Sequence, residues 1–434
     1  GAIRVVTGEV NPSGHTTATF AANSLSAPSA ENFGLHAYNY GSKTPRAAGD
    51  SFVSYNEGIY VGYRYYETRY EDAVMGTGNA GDYNWSTTVA FPFGYGDSYT
   101  TFAYSNFNVT ESDDAFTVTL KVTNTGKTFS GKETVQIYFQ SPYTAYDKAN
   151  GIEKAAAELC GFAKTDVLAP GASEDVTITV PKRELRTYDA NNAKTYILDA
   201  GDYYFTAAAG AHEAVNNILA AQGKTVADGM DAAGSKAVVS WKLDQLDNTT
   251  FAIANNTTVT NVADDADLNY WLPGTVTYLT RQDWNTFPIN YNKLNLKIAD
   301  SPKKDQWIAE MRGETYTISD TGAAAEAVPG PKFAASEIGA EQLNNINDPY
   351  WDKLVHAITI DEAVGAVIHG GSRSDTLTNI DNPVVIQNEG PTGISAGYTD
   401  EATGKTYKFN VNSQTLLGCS FNPELAYQLS LIHI

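Results

Sequence analysis

Four stretches near the middle of the chain alternate apolar and polar residues with a period of two, and this pattern constrains the fold more than anything else in the sequence. "FTVTLKVTNTG" places Phe116, Val118, Leu120 and Val122 on one face and then turns at Asn124 to Gly126. "ETVQIYFQSPY" repeats the device with Val135, Ile137 and Phe139, and "DVTITVP" with Val176, Ile178 and Val180 after the turn signal "APGAS". "GDYYFTAAAG" closes the series. A strand of this kind has one face to bury, so several of them separated by Gly and Pro imply an antiparallel β-sandwich of immunoglobulin-like or fibronectin-like type between residues 101 and 210.

The whole chain has 434 residues, enough for two to four domains, and its 42% hydrophobic and 12% aromatic content is sufficient for well-formed cores. Lys+Arg 29 against Asp+Glu 50 leaves a formal charge of -21. Such a field repels nucleic acid and anionic membrane surfaces, so neither is expected as a partner, whereas a neutral sugar is unaffected. Cys160 and Cys419 do not form a disulfide framework and are expected as buried thiols. His15, His36, His212 and His356 have no partner at metal-ligand spacing, and no cofactor is indicated. No run reaches the roughly 18 apolar residues of a membrane span. The opening "GAIRVVTGEVNPSG" lacks Met and a signal pattern, and the closing "YQLSLIHI" lacks a helix stop, so both ends are expected to be cuts through something longer.

Outside the sandwich the pattern is mixed. "EGIYVGYRYYET" predicts a strand or a strand-to-helix piece, and "FPFGYGDSYTTF" an aromatic, glycine-rich loop. Within 211–340, "EAVNNILAAQG" predicts a short helix closed by Gly223 and "KAVVSWKL" a strand, while the remainder has the polarity of connecting chain. "TYLTRQDWNTFP" and "INYNKLNLKIADSP" are long enough to wrap a neighbouring domain. "DPYWDKLVHAITIDEAVGAVIHGG" predicts two helices: Trp351, Leu354, Val355 and Ile358 share a face of the first, Asp361 caps or begins the second, and Gly370 and Gly371 end it. "VVIQNEGPTG" then predicts a buried strand that presents Glu389 at its C-terminal end, where α/β sheets place their chemistry.

"VNPSGHTTATF", "EGIYVGYRYYET", "FPFGYGDSYTTF" and "ELCGFAKTDVLAPGASEDVTITV" follow one another as they do in the C-terminal half of glycoside hydrolase family 3, the β-glucosidase family, which this chain resembles. "DPYWDKLVHAITIDEAVGAVIHGG", "VVIQNEGPTGI" and "TLLGCSFNPELAYQL" resemble the opposite end of the same family, the opening of its (β/α)8 barrel. The barrel motifs come last, so the resemblance is to the branch with reversed domain order. It implies a multidomain α+β chain: the C-terminal tail of an α/β sandwich domain with lead-in loops (1–100), a fibronectin type III-like β-sandwich (101–210), a connector (211–340) and the beginning of a (β/α)8 barrel (341–434). A complete barrel takes about 250 residues. The part present would therefore leave apolar surface and a strand edge to be covered by a partner chain, for instance in a homo-oligomer.

The activity implied is retaining hydrolysis of terminal β-D-glucosides, with a β-glucoside or short β-linked oligosaccharide as partner. That chemistry needs a carboxylate nucleophile and a second carboxyl group about 5 to 5.5 Å away. In the family the nucleophile is an Asp late in the barrel and the acid/base usually a Glu of the α/β sandwich; neither segment is recognised here, so the catalytic residues are left unassigned. Asp283 in "RQDWN" precedes the barrel motifs and is assigned to the connector. The position that carries over is the acid of the family's Asp-Gly-Pro motif, which grips sugar hydroxyls; here it is Glu389. Its extra methylene moves the carboxylate out by roughly 1.5 Å. His369 is assigned a structural place at a helix end, and Tyr63, Tyr65 and Tyr66, with Glu57 and Arg64, a packing role. A non-catalytic β-sandwich module, structural or with weak sugar affinity, is the alternative.

Overall fold

The computed structural model describes residues 2–31, 36–37, 51–52, 55–235, 237–286, 297–313, 337–369, 373–386, 393–400, 402–410 and 413–431. They fall into two units, residues 1–311 with 417–434 and residues 312–416.

The first unit is built on a helix, α1 (Tyr63–Met75), and seven strands: β1 (Phe102–Glu111), β2 (Ala115–Asn124), β3 (Thr134–Gln140), β4 (Glu158–Lys164), β5 (Ser173–Pro181), β6 (Gly201–Ala208) and β7 (Val238–Leu243), with a second helix, α2 (Ala211–Ala221), between the last two. One sheet has the order β1-β2-β5 and the other β7-β6-β3-β4, and every pairing is antiparallel. Phe116, Val118, Leu120 and Val122 of β2 and Val135, Ile137 and Phe139 of β3 all bury their side chains in one core, together with Val176, Ile178, Val180, Tyr203 and Phe205. The alternation therefore does what it predicts in β2 and β5. The strand β7 lies in the stretch expected to be connector; it pairs with β6 from Gly201↔Leu243 to Thr206↔Val238 and forms an edge of the larger sheet.

β3 departs from the simple reading of an alternating strand. All seven of its residues are buried, the polar ones included. Its second face is covered by α1 and α2, whose approach is allowed by the small side chains of Ala208, Ala211, Ala214 and Ala220 in a second core with Tyr70, Val74, Tyr138 and Leu219. Gln136 donates to the carbonyls of Gly94 (3.3 Å) and Ala209 (2.9 Å), and Tyr138 donates to Gln136 Oε1 (2.7 Å). A buried polar face is tolerated where its groups find partners, as the side chains of Gln136, Tyr138 and Gln140 do.

The second half of "EGIYVGYRYYET" opens the helix α1, as the strand-to-helix alternative has it, while its first half forms turns instead of a strand; Gly76, left-handed at φ 71°, ends the helix by donating to the Asp72 and Ala73 carbonyls. Gly223, at φ 88°, follows α2 as expected. The polar chain around "TYLTRQDWN" does wrap its neighbour: Leu279 N donates to Asn56 O and Trp284 N to Gly78 O, both 2.8 Å. Both cysteines are free and half-buried rather than fully buried by residue area, and the Cys160 thiol donates to Ile137 O at 3.4 Å.

In the second unit, helix α3 (Pro349–Ala357) starts at Asp348, which accepts from Tyr350 N at 2.8 Å, with Pro349 in the first turn. Helix α4 (Ile360–His369) begins with a reciprocal pair, Thr359 and Glu362, so Thr359 is the cap and Asp361 lies in the first turn. Leu354, Ala357 and Ile380 form a small core against which Trp351 and Ile358 pack. Val355 does not join that face; it is 61% exposed, since it follows Leu354 directly and one residue turns about 100° around a helix. Val384 is 46% exposed, and Val385–Ile386 pair antiparallel with Arg373–Ser374, where the sequence led us to expect a buried parallel strand. Gly393–Thr399 and Thr406–Asn410 form a second antiparallel pair.

Ile137→Ala is expected to lower the stability of the sandwich by about 2–5 kcal/mol, because it empties a position with no solvent access. Val355→Ala is expected to change stability by no more than about 0.5 kcal/mol. Urea unfolding of the two variants beside the parent chain measures both.

Candidate functional site

The charged side chains of α1 converge on two buried clusters. The repeat of acids along "YETRYEDAV" puts Glu67, Glu71 and Asp72 on the turns that face β3, α2 and the returning segment 278–286, and all three are buried. At the C-terminal end of the helix, Arg281 enters from that segment. Its Nη2 lies 2.7 Å from Glu71 Oε2 and 2.5 Å from Asp72 Oδ1, its Nε donates to Asp72 Oδ2 at 3.2 Å, and Nη1 donates to Lys154 O at 3.1 Å. Trp284 Nε1 donates to the same Asp72 Oδ2 at 2.8 Å, and its indole packs 5.0 Å from Tyr60 and 5.7 Å from Tyr65, ring centre to ring centre. Gln140, from the polar face of β3, donates to the other oxygen of Glu71 at 2.5 Å. Burial pushes the Glu71 carboxyl up, and the adjacent Arg281 opposes that shift; Arg281 itself is held more firmly charged by the two acids.

A cavity of about 510 Å³ opens above this cluster, with Tyr143 on its wall between Lys148 (5.1 Å from the ring centre) and Arg281 (4.9 Å). The acids at its base are already engaged by Arg281, Trp284, Thr77 and Gln140. Chemically this is a structural ion cluster, since neither carboxylate is left to act as a nucleophile or to exchange a proton with a substrate.

The second cluster lies one turn earlier. His212 of α2 sits between two acids, Nδ1 2.6 Å from Glu67 Oε2 and Nε2 2.8 Å from Asp231 Oδ2. The Trp85 indole stacks on the imidazole at 3.4 Å and 12°, and its Nε1 donates to Glu67 Oε1 at 2.9 Å. Tyr70 donates to Asp231 Oδ1 (2.9 Å) and to Asn216 Oδ1 (2.8 Å). Burial alone would lower the His212 pKa, but the charges and hydrogen bonds of Glu67 and Asp231 outweigh it and raise the value to about 9, while Asp231 is held below its usual range.

Glu389, the sugar-gripping acid expected from the sequence, lies outside the described residues, as do Gly370 and Gly371. Asp283 is half-buried and accepts from Asn79 Nδ2 (3.1 Å) and Asn285 N (3.0 Å), while its neighbours Arg281 and Trp284 carry the buried contacts of the motif. Tyr65 and Tyr66 are buried and Arg64 pairs with Glu158 at 2.6 Å. His369 ends α4 and its Nδ1 lies 2.5 Å from Asp375. His15 is buried, which lowers its pKa to about 4 with a further contribution from Lys164, and His356 Nδ1 sits 2.6 Å from Asp352 O. Among the described residues no group of three or more His, Cys, Asp or Glu is placed to hold a metal ion. His212 is the residue that sequence reading missed, because its partners are 145 and 19 positions away.

Two outcomes follow from this geometry. A histidine whose folded pKa lies above its unfolded value stabilises the fold fully below about pH 6.5 and loses that contribution as pH rises through about 9, up to about 3 kcal/mol in all. The stability difference between the parent chain and His212→Gln, from urea unfolding, is therefore expected to shrink between pH 6 and pH 9.5. Arg281→Met is expected to cost about 3–5 kcal/mol, because it strands two buried acids, and Asp283→Ala is expected to cost far less; thermal unfolding at neutral pH compares them.

Residues 133–211, which take in β3 to β6, match the family model described as a fibronectin type III-like domain. The chain is 35% identical over 222 residues to Beta-glucosidase A of Butyrivibrio fibrisolvens, a match covering 47% of this chain and 23% of that protein. It is 36% identical over 211 residues to a β-glucosidase of Ruminococcus albus, covering 48% of this chain and 18% of that protein. The chain thus spans about a quarter or less of the length of these relatives. Among solved structures, β-glucosidase 3B from Thermotoga neapolitana in complex with α-D-glucose matches with a TM-score of 0.39 and 29% identity, over 57% of this chain and 26% of that one. The chain thus contains a fibronectin type III-like domain and, over about half of its own length, is similar to β-glucosidases.

Proposed function

We propose that this chain belongs to a retaining β-glucosidase that removes terminal β-D-glucose by double displacement. The observation that carries the reading is the 35% identity over 222 residues to a curated β-glucosidase. Within it, residues 1–100 supply the tail of an α/β sandwich domain, 101–210 together with β7 the fibronectin type III-like sandwich, the remainder of 211–340 the connection, and 341–434 the start of a (β/α)8 barrel. The substrate is a β-glucoside or a short β-linked oligosaccharide. Glu389 holds sugar hydroxyls next to the bond that is cleaved, as a carboxylate can by accepting from two of them at once. The buried acids of α1 have a scaffolding role, since their hydrogen-bonding capacity goes to Arg281, His212, Trp85 and Trp284. That last observation also favours the second reading, a β-sandwich module without catalysis of its own.

The test is hydrolysis of p-nitrophenyl β-D-glucoside by this chain alone and by a longer protein that joins it to segments carrying the barrel Asp and the sandwich Glu, with the anomer of the first-formed glucose read by NMR and a host extract as control for contaminating glucosidase. No turnover by this chain alone, and turnover of the longer protein giving β-glucose and reduced about 10²-fold in kcat/KM by Glu389→Ala, are the expected results. A folded longer protein that shows no turnover assigns the non-catalytic reading.

A further inference from the structure

A short hairpin, Thr187–Asp189 paired with Thr195–Ile197, places Tyr188 directly opposite Tyr196, with ring centres 5.1 Å apart and the planes at 72°. Its turn is fixed from within. Asp189 is fully buried and accepts from the backbone N–H groups of Asn191 (3.1 Å), Asn192 (2.9 Å) and Ala193 (2.9 Å), as well as from the Tyr146 hydroxyl (2.5 Å). The segment 259–270 runs alongside and is tied to the hairpin by one side chain: Asn261 Oδ1 accepts from the Tyr188 hydroxyl at 2.5 Å, and Asn261 Nδ2 donates to Ala190 O at 2.8 Å. Between the two lies an open groove of about 710 Å³.

The lining of this groove is chemically narrow. It presents the tyrosines 188, 196 and 270, amides that include Asn191 and Asn261, and the exposed carboxylate of Asp264, with no lysine or arginine among the lining residues. The nearby cations are already taken up by the aromatic rings: Arg186 Cζ is 4.1 Å from the centre of Tyr196, and Lys303 Nζ is 2.9 Å from that of Tyr270. A phosphate or a uronate would find no charge to meet it and would face Asp264 and Asp267. A flat ligand with an apolar face and a rim of hydroxyls fits on each count, since tyrosine rings pack against C–H faces while amides and carboxylates bond to adjacent hydroxyls. The groove is within the usual size of ligand sites, and its open form suits an extended chain. We propose that it binds a neutral oligosaccharide of pyranose units, with Tyr188 as the stacking surface and Asn261 and Asp264 as hydroxyl partners. The lining alone supports this, whether or not the chain hydrolyses glucosides.

Isothermal titration of the full chain with thio-linked cellotetraose, which resists hydrolysis, with maltotetraose and with tetragalacturonate tests the assignment. Binding heat with at least one neutral probe and none with the anionic one is expected. Tyr188→Ala and Asp264→Ala are each expected to weaken that binding tenfold or more, and Tyr188→Phe, which keeps the ring, to weaken it less than threefold. Asp264 is exposed, so its variant reports on the groove even if Tyr188→Ala disturbs the hairpin; far-UV circular dichroism checks each variant. A folded parent chain that gives no heat with either neutral probe, binding unchanged in Asp264→Ala, or preference for tetragalacturonate would each overturn the proposal. Because heat is read with an uncleavable probe, failure of hydrolysis and failure of the groove are separate results.

Discussion

A guanidinium survives out of water only where acids and carbonyls meet its N–H groups in their own plane, and Arg281 is met in that way by Glu71, Asp72 and the Lys154 carbonyl. The two acids are 209 and 210 residues away in the chain, so the contact closes a large loop around the sandwich. The rest of the first unit depends on this arrangement. Asp72 orients Trp284, which fills the space beside Tyr60 and Tyr65; Glu71 takes the amide of Gln140, which would otherwise be a polar group buried on the outer face of β3. Without the cation, Glu71 and Asp72 would be buried side by side with only neutral donors to meet them, which is among the costliest faults a core can have.

The parts of this fold that local rules govern were legible in the sequence. β2 and β5 follow from alternation, and the end of α2 from the glycine beyond it. Where a tertiary partner decides the outcome, the local signal misleads. Thr134, Gln136, Tyr138 and Gln140 have the spacing of a solvent face but lie under helices. The imperfect alternation of "EGIYVGYRYYET" suggests a strand or a strand-to-helix piece, and the part from Tyr63 onward is helical because its acids find partners on β3, α2 and the 278–286 segment. Val355 was grouped with Leu354 although adjacent helical positions cannot share a narrow stripe.

The candidate site was less legible still. His212 was set aside because no acid or cysteine stands near it at metal spacing, and Arg281 was passed over as connecting chain. Both find their roles through residues distant in sequence, and neither pattern leaves a short-range trace. The recognisable residue, Glu389, was found by motif alone and lies outside the described residues. The acids of α1 are used to hold segments together, since Glu67, Glu71 and Asp72 are each bonded to partners from other segments.

The central claim is that the segment carrying Arg281 is an integral part of the sandwich unit rather than a strap laid over it. Native-state hydrogen exchange tests this most directly, because the amides of Leu279, Arg281 and Trp284 are bonded to Asn56 O, Glu153 Oε2 and Gly78 O respectively, and those of β3 to the strands on either side. The account requires these three amides to exchange only through the same opening as those of Ile137 and Phe139, with equal free energies and equal sensitivity to urea. Exchange of Leu279, Arg281 and Trp284 orders of magnitude faster than β3, with no dependence on urea, would contradict it.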